Sequence, residues 1–248
     1  MLLSRDKPIR TLTPHLPDSD ALRLSVIVPL APDEVAWPAL IEQLASLPPA
    51  SEVILACTEA HRIQRPPHWP AATGFRSVRC AIGRARQQNA AARCARGEWL
   101  WFLHADSRLS PDVLPTVQHF LDSGAEALAY FDLAYAGDGP RLAALNAWGA
   151  NLRSRWLGLP FGDQGLLLPA RRFAELGGYD ESAACGEDHL LVWAARHGHL
   201  PLQRLAAPIR TSARKYARHG WLRTTLRNAR LTAAQAWLAS RTPRGKRP

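Results

Sequence analysis

No uninterrupted apolar run in this 248-residue sequence reaches the roughly 18 residues that a membrane-crossing helix needs. The N-terminal stretch MLLSRDKPIRTLTPHLPDSD lacks the apolar centre of a secretion signal, so the cytoplasm is the expected location. Cysteine is scarce. Cys57, Cys80, Cys94 and Cys185 are widely spread with no Cys-x-x-Cys pair, which argues against a zinc site or a disulfide framework and leaves reduced core thiols as the expectation. Glycine is missing from VIVPLAPDEVAW (26–37), directly after the first apolar run, where a nucleotidyltransferase would carry a phosphate-cradling loop. Acidic residues stop at Asp188, while 13 Lys or Arg follow it. The net charge of +10 is therefore uneven, and the first 188 residues sum to −3, with 18 basic against 21 acidic side chains. Such asymmetry suits an anionic partner of the C-terminal quarter: nucleic acid, membrane phosphate or the diphosphate of a sugar nucleotide.

What is present is globular: 47% hydrophobic and 21% charged residues, enough chain for one substantial core. LSVIVPL (24–30) and EVILAC (52–57) are apolar, β-branched runs that read as buried strands, with a helix between them to about Leu47. FRSVRC (75–80) reads as a third strand, GRARQQNAAARCA (83–95) as a helix and residues 98–104 as a further strand. Strands alternating with helices imply a parallel α/β sheet. In SPDVLPTVQHFLDSG, Ser110 suits an N-cap and Pro111 the first helical position. EALAYFDLAYA (126–136) is expected as a strand. It is followed by a helix near 140–157, a short strand at GLLLP, a helix stopped by Gly177-Gly178 and another from about Gly186 to His197.

The run GEWLWFLHAD ends abruptly in His104-Ala105-Asp106, and the carboxyl end of a buried strand is where open α/β sheets bind ligands. An Asp there is either a ligand-site carboxylate or a cap on the next turn, and His104 either touches a ligand or is packed. Glu187-Asp188 opens a helix, where two acids also simply complement the helix dipole. Asp163 and Gln164, between glycines, can approach a ligand's hydroxyl groups or form a plain turn. Arg84, Gln87 and Asn89 stand early in the 83–95 helix, where an arginine and backbone amides suit phosphate or ribose. Arg214 and Lys215 lie in TSARKY, on a stretch that a solvated basic face would explain equally.

Four segments in order carry a resemblance: GRARQQNAAARCARGEWLWFLHADS (83–107), GDQGLLLPARRFAELGGYDE (162–181), GEDHLLVWAARHG (186–198) and TSARKYARHGWLRTTLRN (211–228). Together they resemble family 2 glycosyltransferases, and more narrowly a bacterial branch in which the Asp-x-Asp metal motif reads His-Ala-Asp. The resemblance runs from about Leu24 to Asn228. It implies a GT-A fold, a Rossmann-like α/β/α sandwich with a mostly parallel central sheet. It also implies one transferase domain over 23–240, with a nucleotide-binding half (23–107) and an acceptor half (108–240), between a polar lead-in (1–22) and a tail (241–248).

The resemblance further implies transfer of a sugar from a nucleotide-diphosphate donor to an acceptor hydroxyl, with inversion. Asp106 would hold Mg²⁺ or Mn²⁺ on the diphosphate, and Asp188 would serve as general base with Glu187 orienting it or the acceptor. Arg84, Gln87, Asn89, His104, Arg214 and Lys215 would contact the donor, and Asp163 and Gln164 the acceptor. Two positions depart from the pattern. Cys57 stands where relatives place an Asp that reads the base, and Pro32-Asp33-Glu34 replaces an Asn-Glu pair. A rival reading is a catalytically silent protein that holds nucleic acid or membrane through its basic C-terminus; the joint presence of Asp106, Asp163, Glu187 and Asp188 argues against it, and nucleic acid is the less expected partner.

A last helix is expected at about 220–240. Leu222, Leu226, Ala229, Ala233 and Trp237 share one face, and Arg223, Arg227 and Arg230 line an adjacent stripe. Such a face either lies on an anionic membrane or packs on the domain with its arginines solvated.

Overall fold

The computed structural model describes residues 11–12, 22–58, 63–183, 185–214, 216, 220–226 and 230. Almost all of the lead-in at 1–22, Lys215, the tail at 241–248 and most of the helix expected at 220–240 lie outside the described residues; residues 221–226 are helical. In chain order the elements are β1 (Thr11–Leu12), β2 (Leu22–Pro29), α1 (Trp37–Leu44), β3 (Ser51–Cys57), β4 (Thr73–Arg79), α2 (Arg84–Cys94), β5 (Gly97–Phe102) and β6 (Arg108–Leu109). They continue with α3 (Val113–Asp122), β7 (Leu128–Tyr135), α4 (Ala143–Leu157), a 3-10 turn (Gly162–Gln164), β8 (Leu167–Pro169), α5 (Ala170–Glu175), α6 (Glu187–His197) and β9 (Leu202–Thr211).

The described strands form one nine-stranded sheet in the order β1-β4-β3-β2-β5-β8-β7-β9-β6. Its long pairings, β2 with β3 and β5, β3 with β4, and β7 with β9, are parallel, and the antiparallel ones are short. Successive side chains on a strand point to opposite faces, so a strand covered on both sides must be apolar throughout. Val26, Val28, Val53 and Leu55 enter one core with Leu40, Ile41 and Leu44 of α1 and Val117 and Phe120 of α3. Ile27, Ile54, Leu100 and Phe102 enter the other with Ala90 and Ala91 of α2, Phe173 of α5 and Leu191 and Val192 of α6. Two helical layers thus sandwich the sheet.

At the amino-terminal ends of β3 and β5 a fully buried Glu52 accepts from Ser25 Oγ (2.7 Å) and the Arg96 N–H (2.7 Å) and pairs with Arg76 (2.7 Å). Gly97 is required beside it, because a Cβ there would stand 2.5 Å from the Ser25 nitrogen. This network closes one end of the sheet and leaves the carboxyl-terminal ends of β2, β3 and β5 for the site.

Three sequence expectations are corrected. The strand β9 was not foreseen: LQRLAAPIRT carries Pro208, and its pairing with β7 shifts register between Phe131 and Asp132, from Leu205 to Pro208. A proline is tolerated at such a bulge because it has no N–H to give the ladder. Helix α3 begins at Val113 after an Asp112 N-cap, not at Pro111, since Ser110 is held by β9 through its N–H to the Pro208 carbonyl (3.4 Å). All four thiols are free, but only Cys57 is in the core; Cys80 and Cys94 are half-buried and Cys185 is exposed.

Candidate active site

The carboxyl-terminal edge of β5 delivers His104 and Asp106, and the N-termini of α2 and α6 deliver Arg84 and the pair Glu187-Asp188. Gly186, with φ 75°, turns the chain into α6 so that both acids fall in its first turn, where the helix dipole favours them. Residues a hundred positions apart in sequence meet here. Arg84 Nη2 donates to Asp188 Oδ1 (3.1 Å), its Nε bonds Glu187 Oε1, and its Nη1 lies 3.4 Å from His104 Nε2. Both acids are buried, whereas 42% of the Arg84 side chain remains exposed.

Asp188 is held on its other oxygen by the Gly162 N–H, which donates to Oδ2 (2.9 Å). Burial works against the Asp188 charge, but Arg84, His104 and that N–H outweigh it and hold the carboxyl below its ordinary pKa. Burial likewise works against the Arg84 charge, and Asp188 and Glu187 raise its pKa above the ordinary value. For His104, burial and then Arg84 lower the pKa, against the raising charges of Asp188, Asp163 and Asp106. Asp188, Asp163 and Asp106 are thus the acids near enough to act on this imidazole.

Gly162 sets the spacing. A Cβ at this position would stand 2.5 Å from Asp188 Oδ2, 2.9 Å from its Cγ and 3.1 Å from His104 Nε2, so an alanine must push the carboxylate aside. Displacing a reacting group by about 1 Å costs on the order of 10²-fold in rate. If Asp188 is the base that the resemblance to family 2 glycosyltransferases implies, Gly162→Ala lowers kcat about 10²-fold with donor KM little changed, in steady-state kinetics on a working donor and acceptor. A kcat within twofold of the parent would contradict this geometry.

Asp106 is tied to the end of β9: its Oδ2 accepts from Thr211 Oγ1 (3.1 Å) and the Ser212 N–H (3.4 Å). Asp163 has a buried Oδ1 with no hydrogen-bond partner, and Arg153 a buried Nη2 in the same condition. Arg153 lies with its Cζ 3.7 Å over the Phe161 ring, beside Gly162. Burial lowers its pKa and the Asp163 charge opposes that shift. Tyr135, whose pKa is raised by burial, by Tyr216 (OH to OH 3.1 Å) and by Asp163, completes this side. Sequence reasoning did not find Arg153, Tyr135 or Thr211; nothing local marks them.

Three of the residues expected at a ligand have protein partners. Gln87 Nε2 donates to the Leu30 (2.7 Å) and Ala56 (2.9 Å) carbonyls at the ends of β2 and β3. Asn89 bonds both backbone groups of Tyr179, at 2.9 Å each, and the Glu181 carboxylate. Gln164 is wholly buried, accepting from Ser154 Oγ (2.7 Å) and the Phe161 N–H (3.2 Å) and donating to the Phe131 carbonyl (2.9 Å). Buried amides need such partners. Arg214 lies at the surface, where Nε bonds Ser212 Oγ (2.9 Å) near Asp138 (3.6 Å). The Cys57 thiol is buried and donates to the Val78 carbonyl (3.7 Å).

A cleft of about 420 Å³ opens beside Arg84 and Glu187, bounded also by Gly83, Arg86, Glu181 and Cys185. Among the described residues no three His, Cys, Asp or Glu side chains form a ready metal cage. Carboxylate oxygens are nevertheless the hard donors that Mg²⁺ or Mn²⁺ prefers, and Asp163 keeps one buried oxygen without a hydrogen-bond partner. The residues fit a cation that takes its remaining ligands from phosphate and water.

The sequence profile described as Glycosyl transferase family 2 matches residues 73–166, less than half of the chain but including Arg84, His104, Asp106, Gly162 and Asp163. No curated protein matches the sequence. Among solved structures, residues 1–349 of S. aureus TarS in complex with UDP align with a TM-score of 0.59 at 17% identity, over 77% of this chain and 60% of that one. The mannosyltransferase PcManGT from Pyrobaculum calidifontis, in complex with GDP-Man and Mn²⁺, aligns with a TM-score of 0.59 at 20% identity, over 91% of this chain and 66% of that one. The chain spans about 60% of the length of the TarS fragment it matches. These likenesses establish the fold as the GT-A α/β sandwich.

Proposed function

We propose that this protein is a family 2 glycosyltransferase of the His-Ala-Asp type, moving a sugar from a nucleotide-diphosphate donor to an acceptor hydroxyl with inversion. The observation that carries the reading is the convergence of Asp188, Glu187, Arg84 and His104 around Gly162, at the ligand-binding edge of a GT-A sheet. Residues 23–240 act as one transferase domain, at the cytoplasmic face, with the donor on the β2–β5 side.

In this mechanism the acceptor oxygen attacks the anomeric carbon as the bond from that carbon to the phosphate oxygen breaks on the opposite face. The hydroxyl proton passes to a carboxylate oxygen of Asp188, and the diphosphate leaves with the electron pair. Asp188 is ionised and buried, yet Arg84 and Gly162 engage both of its oxygens. The partly exposed Arg84 is the contact that can yield, because a donor diphosphate competes for its guanidinium while Glu187 keeps it near. Donor binding thereby frees the base for the acceptor. Asp106 would hold Mg²⁺ or Mn²⁺, which when bound offsets charge on the diphosphate. Asp163, only partly buried, would meet the acceptor's hydroxyl groups, with the Arg153 charge beside it.

The neighbours carry UDP in one case and GDP-Man in the other. With Cys57 turned into the core, base selection in this chain falls to other residues. The reading is tested by incubating the protein and Mn²⁺ with a panel of UDP- and GDP-sugars and following nucleoside diphosphate release. Release from at least one donor, above the protein-free rate, is expected; none from any would oppose it.

A further inference from the structure

Helix α4 is apolar on two sides. Ala143, Ala147 and Ser154 face inward and are buried, whereas Leu142, Leu145, Trp148, Leu152 and Trp156 are 40% to 79% exposed. At 3.6 residues per turn these five side chains share an arc of about 120° opposite the buried one. A single exposed leucine needs no explanation, but contiguous large apolar side chains mark an interaction face. The helical turn at 221–226 is fastened along its flank: Trp221 Nε1 donates to Asn146 Oδ1 (2.9 Å) and Asn146 Nδ2 to Thr225 Oγ1 (2.9 Å). That turn adds Leu222, 61% exposed, and Leu226, 49% exposed, with Arg223 exposed between them.

Charge selects the occupant. Residues 139–161 contain three arginines and no carboxylate, and residues 189–248 contain 13 Lys or Arg and no carboxylate. Of the acids near this side, Asp132 is paired with Arg155 and Arg204 and Asp138 with Arg214. A second copy would bring the same positive field and be repelled, whereas an anionic lipid surface is attracted. Tryptophan, with an apolar ring and a polar N–H, is suited to the level of lipid headgroups. No helix among the described residues is long and apolar enough to cross a membrane, so the contact would be peripheral.

We propose that the outer face of α4, extended by the 221–226 turn, docks on an anionic membrane surface. Arg153 belongs to the same helix and stacks on Phe161 beside Gly162. Docking would hold the acceptor side of the site within about one helix diameter, ~10 Å, of the lipid, and so favour an acceptor carried in the membrane. The acceptor clause rests on the proposed function; the docking itself does not.

The test is flotation of the full chain with phosphatidylcholine vesicles, with and without about 30% phosphatidylglycerol, beside Trp148→Gln/Trp156→Gln. Both tryptophans are exposed, so the variant should keep its circular dichroism and its sugar-nucleotide binding. The parent should float with the anionic vesicles only, and the variant's recovery should fall about tenfold or more. Brominated lipid should quench tryptophan emission in the parent and much less in the variant. Equal recovery of both proteins, or no flotation of the parent, overturns the proposal. A dimer in sedimentation velocity that the variant dissolves, without vesicle binding, assigns the face to a second copy and overturns it too. Failure of sugar-nucleotide binding in the same samples would count against the proposed function alone.

Discussion

Asp188→Asn is expected to lower turnover by about 10²–10⁴ with donor affinity changed only a few-fold. The amide keeps the shape of the side chain but cannot take a proton from the acceptor. Donor affinity should survive because Glu187 still bonds Arg84 and keeps the guanidinium at the diphosphate side. Removing the charge of a buried acid that pairs with Arg84 also costs stability, so the variant should be compared at a temperature where circular dichroism shows it folded. Single-turnover measurement of sugar transfer separates the chemical step from folding and product release. Turnover close to that of the parent would remove Asp188 from proton transfer and leave His104 or Glu187 to be considered.

Asp106→Ala is expected to erase the Mn²⁺-dependent part of donor binding, about a hundredfold in Kd, or ~2.8 kcal/mol. The substitution also removes the hydrogen bonds from Thr211 and Ser212, which fasten the end of β9 to the β5 edge. Asp106→Asn separates the two roles, because an amide oxygen still accepts those bonds while the negative charge is gone. Both variants should lose the metal effect in calorimetry, and the asparagine variant should melt closer to the parent. A metal effect of parental size in either one would show that Asp106 does not hold the cation.

The central strands were legible because both of their faces are covered, so VIV, VILA and WLWF run apolar without alternation. Strand β9 was not, because its proline and its register shift remove the local pattern while pairing with β7 supplies the structure. The acids of the site stood out as abrupt polar stops at a strand end and a helix start. Gln87, Asn89 and Gln164 have the residue type of ligand contacts, and only the fold shows the carbonyls that each one meets. Arg153 and Tyr135 were invisible for the opposite reason, since their nearness to Asp163 arises from packing between α4, β7 and the turn at 162–164. Most of the basic helix expected near 220–240 lies outside the described residues. Its described part, 221–226, lies against α4, which bears the larger apolar face.

The central claim is that the edge formed by Arg84, His104, Asp106, Asp163, Glu187 and Asp188 binds a sugar nucleotide together with a divalent cation. Thermal denaturation with nucleoside diphosphates and their sugars, with and without Mn²⁺, tests it most directly, because a ligand that binds only the folded state raises its stability. At free ligand near 100 times Kd the stabilisation is about 2.7 kcal/mol, a shift of several degrees. The account predicts such a shift for at least one nucleoside diphosphate, larger with Mn²⁺ and returned to the metal-free size by Asp106→Asn. No shift with any nucleotide at millimolar concentration, in the presence of Mn²⁺, would contradict it.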